Sequence, residues 1–456
     1  MEVRIAPRSD ERSAWIASFT AAGCWGVSLW GADLGVFGAL GALALGAVIR
    51  GTASDPARIA IFAVGWQALA LAWFPDTWAD FGGPGGRAAM GVVVALAALP
   101  WITALGLASA AVAGGAPRGL ALGLGLAFGT ALADWTFLPI VPAHLAVSGP
   151  GLAWPAQAGG REVYALALGA LAGFAWERPV PAVGLGLGWL AAGALWLRTP
   201  QPSQLRVGVA ETGLDAFQGG AEQREARSRA AVAELAGADL IVLPESAWPR
   251  RTGLAALTAV PLLAGVDADR QNALVASAGG REIGRFAKQI LVPGSERSVL
   301  GLGRDRVRPG TGARALSVPV GDRTLRVVPL ICYEDLFARA LHDARRGDLL
   351  VAVANDGWNR RAAWAHLAAT RLAAVETGRW AVRSTPSGIS AVIDPRGRLA
   401  WSTAAETQVA ARSAIVGLGL PDRPGLPYLP AGWLAGAALV GTALAVSSGP
   451  ARRRRT

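Results

Sequence analysis

Apolar runs recur from residue 14 to 198 before the first balanced mix of charges appears. This pattern constrains the chain more than any motif. A helix crossing a bilayer needs roughly 17–25 mainly apolar residues. Candidate spans read at about 14–31, 34–49, 59–75, 89–113, 119–138, 162–177 and 180–197, and once more at 428–447. A secretory leader supplies one short apolar stretch near the start. The recurrence instead predicts a polytopic α-helical membrane domain of about eight spans with a globular domain inserted before the last one.

Charge supports the same reading. Only 16% of residues are charged, against about 25% in an ordinary soluble domain. With the N-terminus and its Arg4, Arg8 and Arg12 in the cytoplasm, eight spans place Arg50, Arg58, Arg118, Arg178 and the Arg452–Arg455 run on that same side. Seven spans do not, and cytoplasmic loops are the ones enriched in Lys and Arg. The inserted domain then lies on the outer face of a bacterial cytoplasmic membrane. The formal net charge is +11. Anionic lipid head groups suit it better than nucleic acid, because the arginines are not interleaved with stacking aromatics. Trp73, Trp78, Trp101, Trp135 and Trp154 fall near the expected span ends, where an amphipathic ring is stable. The glycines of "GLGLGLAFG" (123–129) suit close helix packing.

The expected boundaries are 1–200 for the transmembrane helices, 201–420 for the globular domain, and 421–456 for a last helix and basic tail. Within 205–415, strand-like runs recur: "LRVGVA" (205–210), "LIVLPE" (240–245), "LLAGV" (262–266), "NALVAS" (272–277), "RALSVPV" (314–320), "LRVVPLIC" (325–332) and "LLVAVAN" (349–355). Helical patterns lie at 221–237 and 362–377, and "GISAVIDPRGRLAW" reads as two strands around a Pro-Arg-Gly turn. Strands and helices in this order predict a layered α/β domain.

Three residues at strand ends carry candidate chemistry. Glu245 closes "LIVLPE", Lys288 interrupts the apolar run "GRFAKQILVP", and Cys332 ends "LRVVPLIC". Each has a plain structural alternative: a surface carboxylate, a snorkelling lysine, a core thiol. Together they form an acyl-transfer set. A carboxylate can take the thiol proton, the thiolate can attack a carbonyl, and an ammonium can face the developing oxyanion. A helix-like segment after Cys332 is expected to lower the thiol pKa. Cys24, the other cysteine, sits in an apolar run and reads as an inert small hydrophobe. His366 lies in an amphipathic helix and reads as structural. No Cys/His/carboxylate cluster has zinc spacing, and neither metal nor cofactor is expected.

On these residues the domain resembles the nitrilase (carbon-nitrogen hydrolase) superfamily. The whole chain, spans included, resembles the apolipoprotein N-acyltransferase family. The stretches "LPESAWP", "KQILVP", "PLICYEDLF", "NDGWN" and His366–Arg398 carry the likeness. The resemblance implies an αββα sandwich with Glu245 as base, Lys288 as oxyanion cation and Cys332 as nucleophile. It also implies Tyr333, Glu334, Glu296 and Trp358 as supporting or substrate-binding residues. The chain departs from the family at "VGVAETGLDAF", where Phe217 stands near the place of an expected tryptophan, and at "LVPGSERSV" after Lys288.

The resemblance further implies an enzyme that moves an acyl chain from a phospholipid, through a Cys332 thioester, to the N-terminal amine of a diacylglyceryl-cysteine lipoprotein. A monomer is expected. The rivals are a membrane-tethered nitrilase-type hydrolase, an acyltransferase with another amine acceptor, and a non-enzymatic scaffold.

Overall fold

Alanine, glycine and leucine dominate the first two hundred residues, and this part folds as helices. The computed structural model describes residues 8–27, 35–49, 51–52, 55–72, 86–136, 138–147, 151–198, 205–214, 220–249, 253–293, 295–298, 306–342, 344–357, 359–403, 411–420 and 430–448. Trp358, Phe217, Trp73, Trp78 and Arg452–Arg455 lie outside the described residues.

The chain divides into two units. One comprises residues 1–72, 89–196 and 429–456; the other comprises 73–88 and 197–428. The first holds α1 (Arg8–Val27), α2 (Gly35–Val48), α3 (Asp55–Ala70), most of α4 (Gly86–Ala113), α5 (Arg118–Ala133), the short α6 (Pro142–Ala146) and α7 (Trp154–Gly159), α8 (Arg161–Glu177), α9 (Pro179–Leu197) and the Ala431–Ser448 helix. Glycine lets α5 and α8 approach closely. A Cβ on Gly123 would stand 2.7 Å from the Leu166 carbonyl oxygen, and one on Gly173 would stand 2.7 Å from Gly119 Cα.

The expected eight spans are not found among the described residues. Among the described residues, two helices are long and apolar enough to cross a membrane, Gly91–Ala113 and Pro179–Leu197, while Arg118–Ala133 and Ala431–Thr442 are shorter apolar helices. The reason is length and charge. At about 1.5 Å per residue, a helix of about 16 residues reaches about 24 Å, short of a 30 Å hydrocarbon core. The expected run 119–138 stops as a helix at Ala133. Elsewhere α3 begins with the buried Asp55–Arg58 ion pair at its first turn, and α8 begins with buried Arg161 and Glu162. Glu162 accepts a hydrogen bond from Gly432 N–H at 2.6 Å, satisfying an end of the Ala431–Ser448 helix. Trp101 is not an interfacial anchor either. It is fully buried, 4.7 Å ring to ring from Trp66, which in turn meets Trp25.

The second unit holds two six-stranded sheets. The first runs β12-β1-β2-β3-β4-β5, with β1 at Leu205–Glu211, β2 at Leu240–Val242, β3 at Leu262–Ala268, β4 at Gln271–Ala278, β5 at Arg281–Ala287 and β12 at Arg412–Leu418. The second runs β11-β10-β9-β8-β7-β6, with β6 at Leu316–Val320, β7 at Arg323–Ile331, β8 at Leu349–Val353, β9 at Trp380–Ser384, β10 at Ala391–Ile393 and β11 at Leu399–Ser402. Each sheet has parallel pairs at its centre and antiparallel strands at its margins. One core joins the facing sides of both: Val207, Leu240, Val242 and Leu263 from the first meet Val327, Ile331, Val351 and Val382 from the second. On the other side of the first sheet, Ala231, Val232 and Leu235 cover Ile241, Leu243 and Leu262. Ala231 and Val232 belong to α10 (Ala221–Glu234). The sequence-expected strand at 240–245 forms ladder pairs only to Val242, because Pro244 has no N–H to give.

α11 (Arg360–Thr377) has ends written into the sequence. The Asn359 side chain accepts hydrogen bonds from the N–H groups of Arg361 and Ala362, and Gly378 closes the helix at φ +65°. The Asp394 carboxylate accepts from the N–H groups of Arg396 and Arg398, fixing the expected Pro-Arg-Gly turn between β10 and β11.

Strand direction fixes where the ends emerge. β2 and β3 are parallel, and β5 runs the same way after two antiparallel steps. The ends of β2 and β5 therefore leave the first sheet on one side, and Glu245 and Lys288 follow them. β7 and β8 are parallel as well, so Cys332 and Asp356 follow strand ends on one side of the second sheet.

Candidate active site

Cys332 follows the last residue of β7 and sits at φ +51°. A non-glycine residue in the left-handed region costs roughly 1–2 kcal/mol and persists only where its surroundings hold it. The chain then makes a 3-10 turn over Cys332–Leu336. The expected longer helix is absent, and so is its effect on the thiol. Burial, with a contribution from Glu245, pushes Cys332 well above the usual thiol range, and Lys288 only partly opposes it. Part of the cysteine surface stays open.

Glu334 is fully buried and holds this turn. Its Oε2 accepts from Ile331 N–H at 3.0 Å. Its Oε1 accepts from Gln289 N–H at 2.9 Å, Ile290 N–H at 3.1 Å and Arg314 Nη2 at 2.9 Å. One carboxylate thus ties the residue before Cys332 to the two residues after Lys288. Tyr333 is buried edge-on against Phe337, with ring centroids 4.9 Å apart. Burial raises its hydroxyl pKa, and the charges of Lys288 and Glu296 reach it.

Lys288 is 1% exposed, and its Nζ lies 2.8 Å from Glu296 Oε1. Burial pulls its pKa down. The Glu296 carboxylate above all, with Glu245 and the thiolate form of Cys332, outweighs that and leaves it above the ordinary lysine range, so the ammonium stays charged. Glu296 is placed by its own loop, since its Oε2 accepts from Val292 N–H at 2.7 Å.

Glu245 is 6% exposed. Its carboxylate accepts a side-chain hydrogen bond from Asn272 Nδ2 and a backbone one from Asn355. Burial pushes it above the ordinary carboxylate range against the pull of Lys288, and Glu296 adds to the rise. Asn272 also accepts Lys288 N–H at its carbonyl, 2.8 Å away, so one residue of β4 orders both the acid and the lysine. The fold leaves no room beside Glu245. A Cβ on Gly265 would stand 2.5 Å from Glu245 Cα and 2.5 Å from Pro244 O. Gly265→Ala is expected to destabilise the unit by about 1–3 kcal/mol through overpacking, read as a loss of thermal stability without loss of strand content by circular dichroism.

The structure therefore brings Glu245, Lys288, Glu296 and Cys332 within reach of one another's charge, with Tyr333 in reach of Lys288 and Glu296 and with Glu334 as a tether. Sequence reasoning did not single out Asn272 or Arg314. Asn272 opens the strand-like run "NALVAS" and Arg314 opens "RALSVPV", and nothing local in either run marks them, though Arg314 is 7% exposed. Among the described residues no group of three or more His, Cys, Asp and Glu is placed to hold a metal.

Residues 263–412 match the carbon-nitrogen hydrolase family model. This segment is a carbon-nitrogen hydrolase domain. The hydrolase domain contains Lys288, Glu296 and Cys332, while Glu245 lies upstream of the matched residues. The chain is similar to the apolipoprotein N-acyltransferase of Azotobacter vinelandii, 32% identical over 197 residues, which is 35% of this chain and 37% of that protein. It is also similar to the enzyme of the same description from Methylococcus capsulatus, 31% identical over 211 residues, 42% of this chain and 39% of the other. The matches thus span well under half the length of these relatives. A variant amidase of the nitrilase superfamily from Nesterenkonia superposes on 48% of this chain and 93% of its own at 17% identity, with a TM-score of 0.36.

Proposed function

We propose that this protein is a membrane-associated N-acyltransferase working through a Cys332 thioester, with the N-terminal amine of a diacylglyceryl-cysteine lipoprotein as acceptor. The observation that carries this reading is the buried cluster in which Cys332, Glu245 and Lys288 each feel the others' charge.

The thiol is held protonated, so attack needs a base. Glu245, raised above the ordinary carboxylate range by burial, is a stronger base than a surface carboxylate and can take that proton. As Sγ attacks the ester carbonyl of a phospholipid, the Lys288 ammonium faces the developing oxyanion, a contact worth roughly 3 kcal/mol in related sites. The ester C–O bond breaks, and Glu245 returns the proton to the leaving alkoxide, giving a lysophospholipid. In the second step the acceptor amine attacks the thioester, loses its proton through Glu245, and restores the thiol as the amide forms. Both substrates carry acyl chains, and burial at about 0.8 kcal/mol per CH₂ keeps them at the bilayer where apolar helices can lie.

The family description favours a second reading, in which water resolves the same thioester. Purified protein is incubated with phospholipid, with and without an amine-bearing diacylated lipopeptide. The proposed function predicts N-acylated lipopeptide and an acyl adduct on Cys332 by intact mass. Free fatty acid with no acylated peptide would mark a hydrolase, and no adduct under any condition would remove both.

Asn272→Ala tests the base. Its amide lowers the Glu245 pKa; without it Glu245 holds its proton to higher pH. The acid limb of the pH–rate profile is expected to move to higher pH, while the alkaline limb stays.

A further inference from the structure

Four buried ionisable groups lie around the turn that carries Cys332, and the acyl-transfer steps use none of them. Asp335, on the Cys332–Leu336 turn, has Oδ1 2.8 Å from His366 Nδ1 of α11. Its Oδ2 lies 3.0 Å from Arg383 Nη1 of β9 and 3.1 Å from the Thr370 hydroxyl. Arg383 is fully buried, and its Nη2 pairs with Asp356, which follows β8. Asp356 is also fully buried, with one carboxylate oxygen bonded to Arg383 and the other, Oδ1, without a hydrogen-bond partner among the described residues. Its charge reaches both Cys332 and His366.

We propose that Asp335, His366, Arg383 and Asp356 form a positioning cluster for the nucleophile: the His366–Asp335 pair holds the left-handed turn at Cys332, and Arg383 offsets the Asp356 carboxylate that otherwise opposes the thiolate. The adjacent carboxylates of the turn divide the task. Glu334 ties it to the loop after Lys288, and Asp335 ties it to α11 and β9.

The charges explain why a histidine occupies this place. Two carboxylates and one guanidinium leave one negative charge, and a protonated imidazole cancels it. The groups facing His366 are Asp335 from the turn, Asp356 from the segment after β8 and Arg383 from β9. Burial lowers the His366 pKa, but Asp335 above all raises it, and the balance lies above the ordinary histidine value. When His366 loses its proton, the cluster becomes net negative and disfavours the thiolate.

This inference rests on Cys332 as nucleophile, so its test reads the thiol directly. Iodoacetamide labelling of Cys332 in the full chain is followed by peptide mass spectrometry across pH, with the Cys24 peptide as internal standard. His366→Gln is expected to label about fivefold more slowly than wild type at low pH, where wild-type His366 is charged, and the two are expected to converge as pH rises and wild-type His366 loses its proton. Glu245, Lys288 and Glu296 face the thiol in both proteins and cancel from the ratio. A ratio that stays constant across pH, or equals one throughout, would overturn the cluster's role. If His366→Gln does not fold, Asp356→Asn is labelled in its place: removing that charge is expected to speed Cys332 labelling relative to the Cys24 peptide by about fivefold, and an unchanged ratio overturns the proposal. Normal labelling behaviour with no acyl transfer would sink the transferase reading and leave this one standing.

Discussion

Cys332→Ala is expected to lower amine acylation by about 10³-fold or more and to abolish the acyl adduct. The loss falls in turnover rather than in lipid binding, because on the proposed route the thiol forms the only covalent bond to the acyl group. Stability is expected to change little. The side chain is partly exposed and small, and alanine keeps the backbone path while removing one sulfur. The cleanest check is rescue of a strain depleted of its own lipoprotein N-acyltransferase. Wild type is expected to rescue and Cys332→Ala is not, and rescue by the alanine variant would sink the thioester route. Cys332→Ser is a sharper probe. Its hydroxyl fits the same turn, but an oxyester is less reactive toward amines, so an adduct that forms and then persists in the presence of lipopeptide is the expected result.

The candidate site was legible where chemistry and local sequence coincide. Glu245 and Cys332 each follow an apolar strand run, β2 and β7, whereas Lys288 follows β5, a strand with two arginines and a glutamate that the strand-like runs did not include; β2 and β5 run the same way, so Glu245 and Lys288 leave the first sheet on one side. The ends of α11 were legible for the same reason, since Asn359 and Gly378 act on backbone groups a few residues away. What was not legible depends on distance along the chain. Arg314 and Gln289 meet Glu334 from 20 and 45 residues away, and no local pattern announces that. The thiol pKa was misjudged because a short 3-10 turn was read as a helix and because burial outweighs any end effect. The membrane count failed on a physical point: hydropathy marks apolar runs, but helix length and charges at α3 and α8 decide what can cross.

Glu334→Ala is expected to produce the largest loss of stability of any single change near the site. A fully buried carboxylate satisfies three backbone N–H groups and one guanidinium. Removing it leaves Arg314 without its counter-charge in a place that is 7% exposed. Breaking a buried pair from one side costs about 3–5 kcal/mol. For a unit of this size that lowers the melting temperature by about 10 °C, at roughly 2–4 °C per kcal/mol. Glu334→Gln keeps the volume but presents one acceptor where two were used, so either Ile331 N–H or the Gln289–Ile290–Arg314 set loses its partner. Its melting temperature is expected to fall between wild type and the alanine variant. The functional loss is expected to exceed the stability loss in both variants. Below the melting range the fold persists, but Lys288 and Cys332 no longer share a tether, and the proposed acyl transfer depends on their register. Equal acylation rates for folded Glu334→Gln and wild type would show that the carboxylate supports the fold without aligning the lysine to the nucleophile.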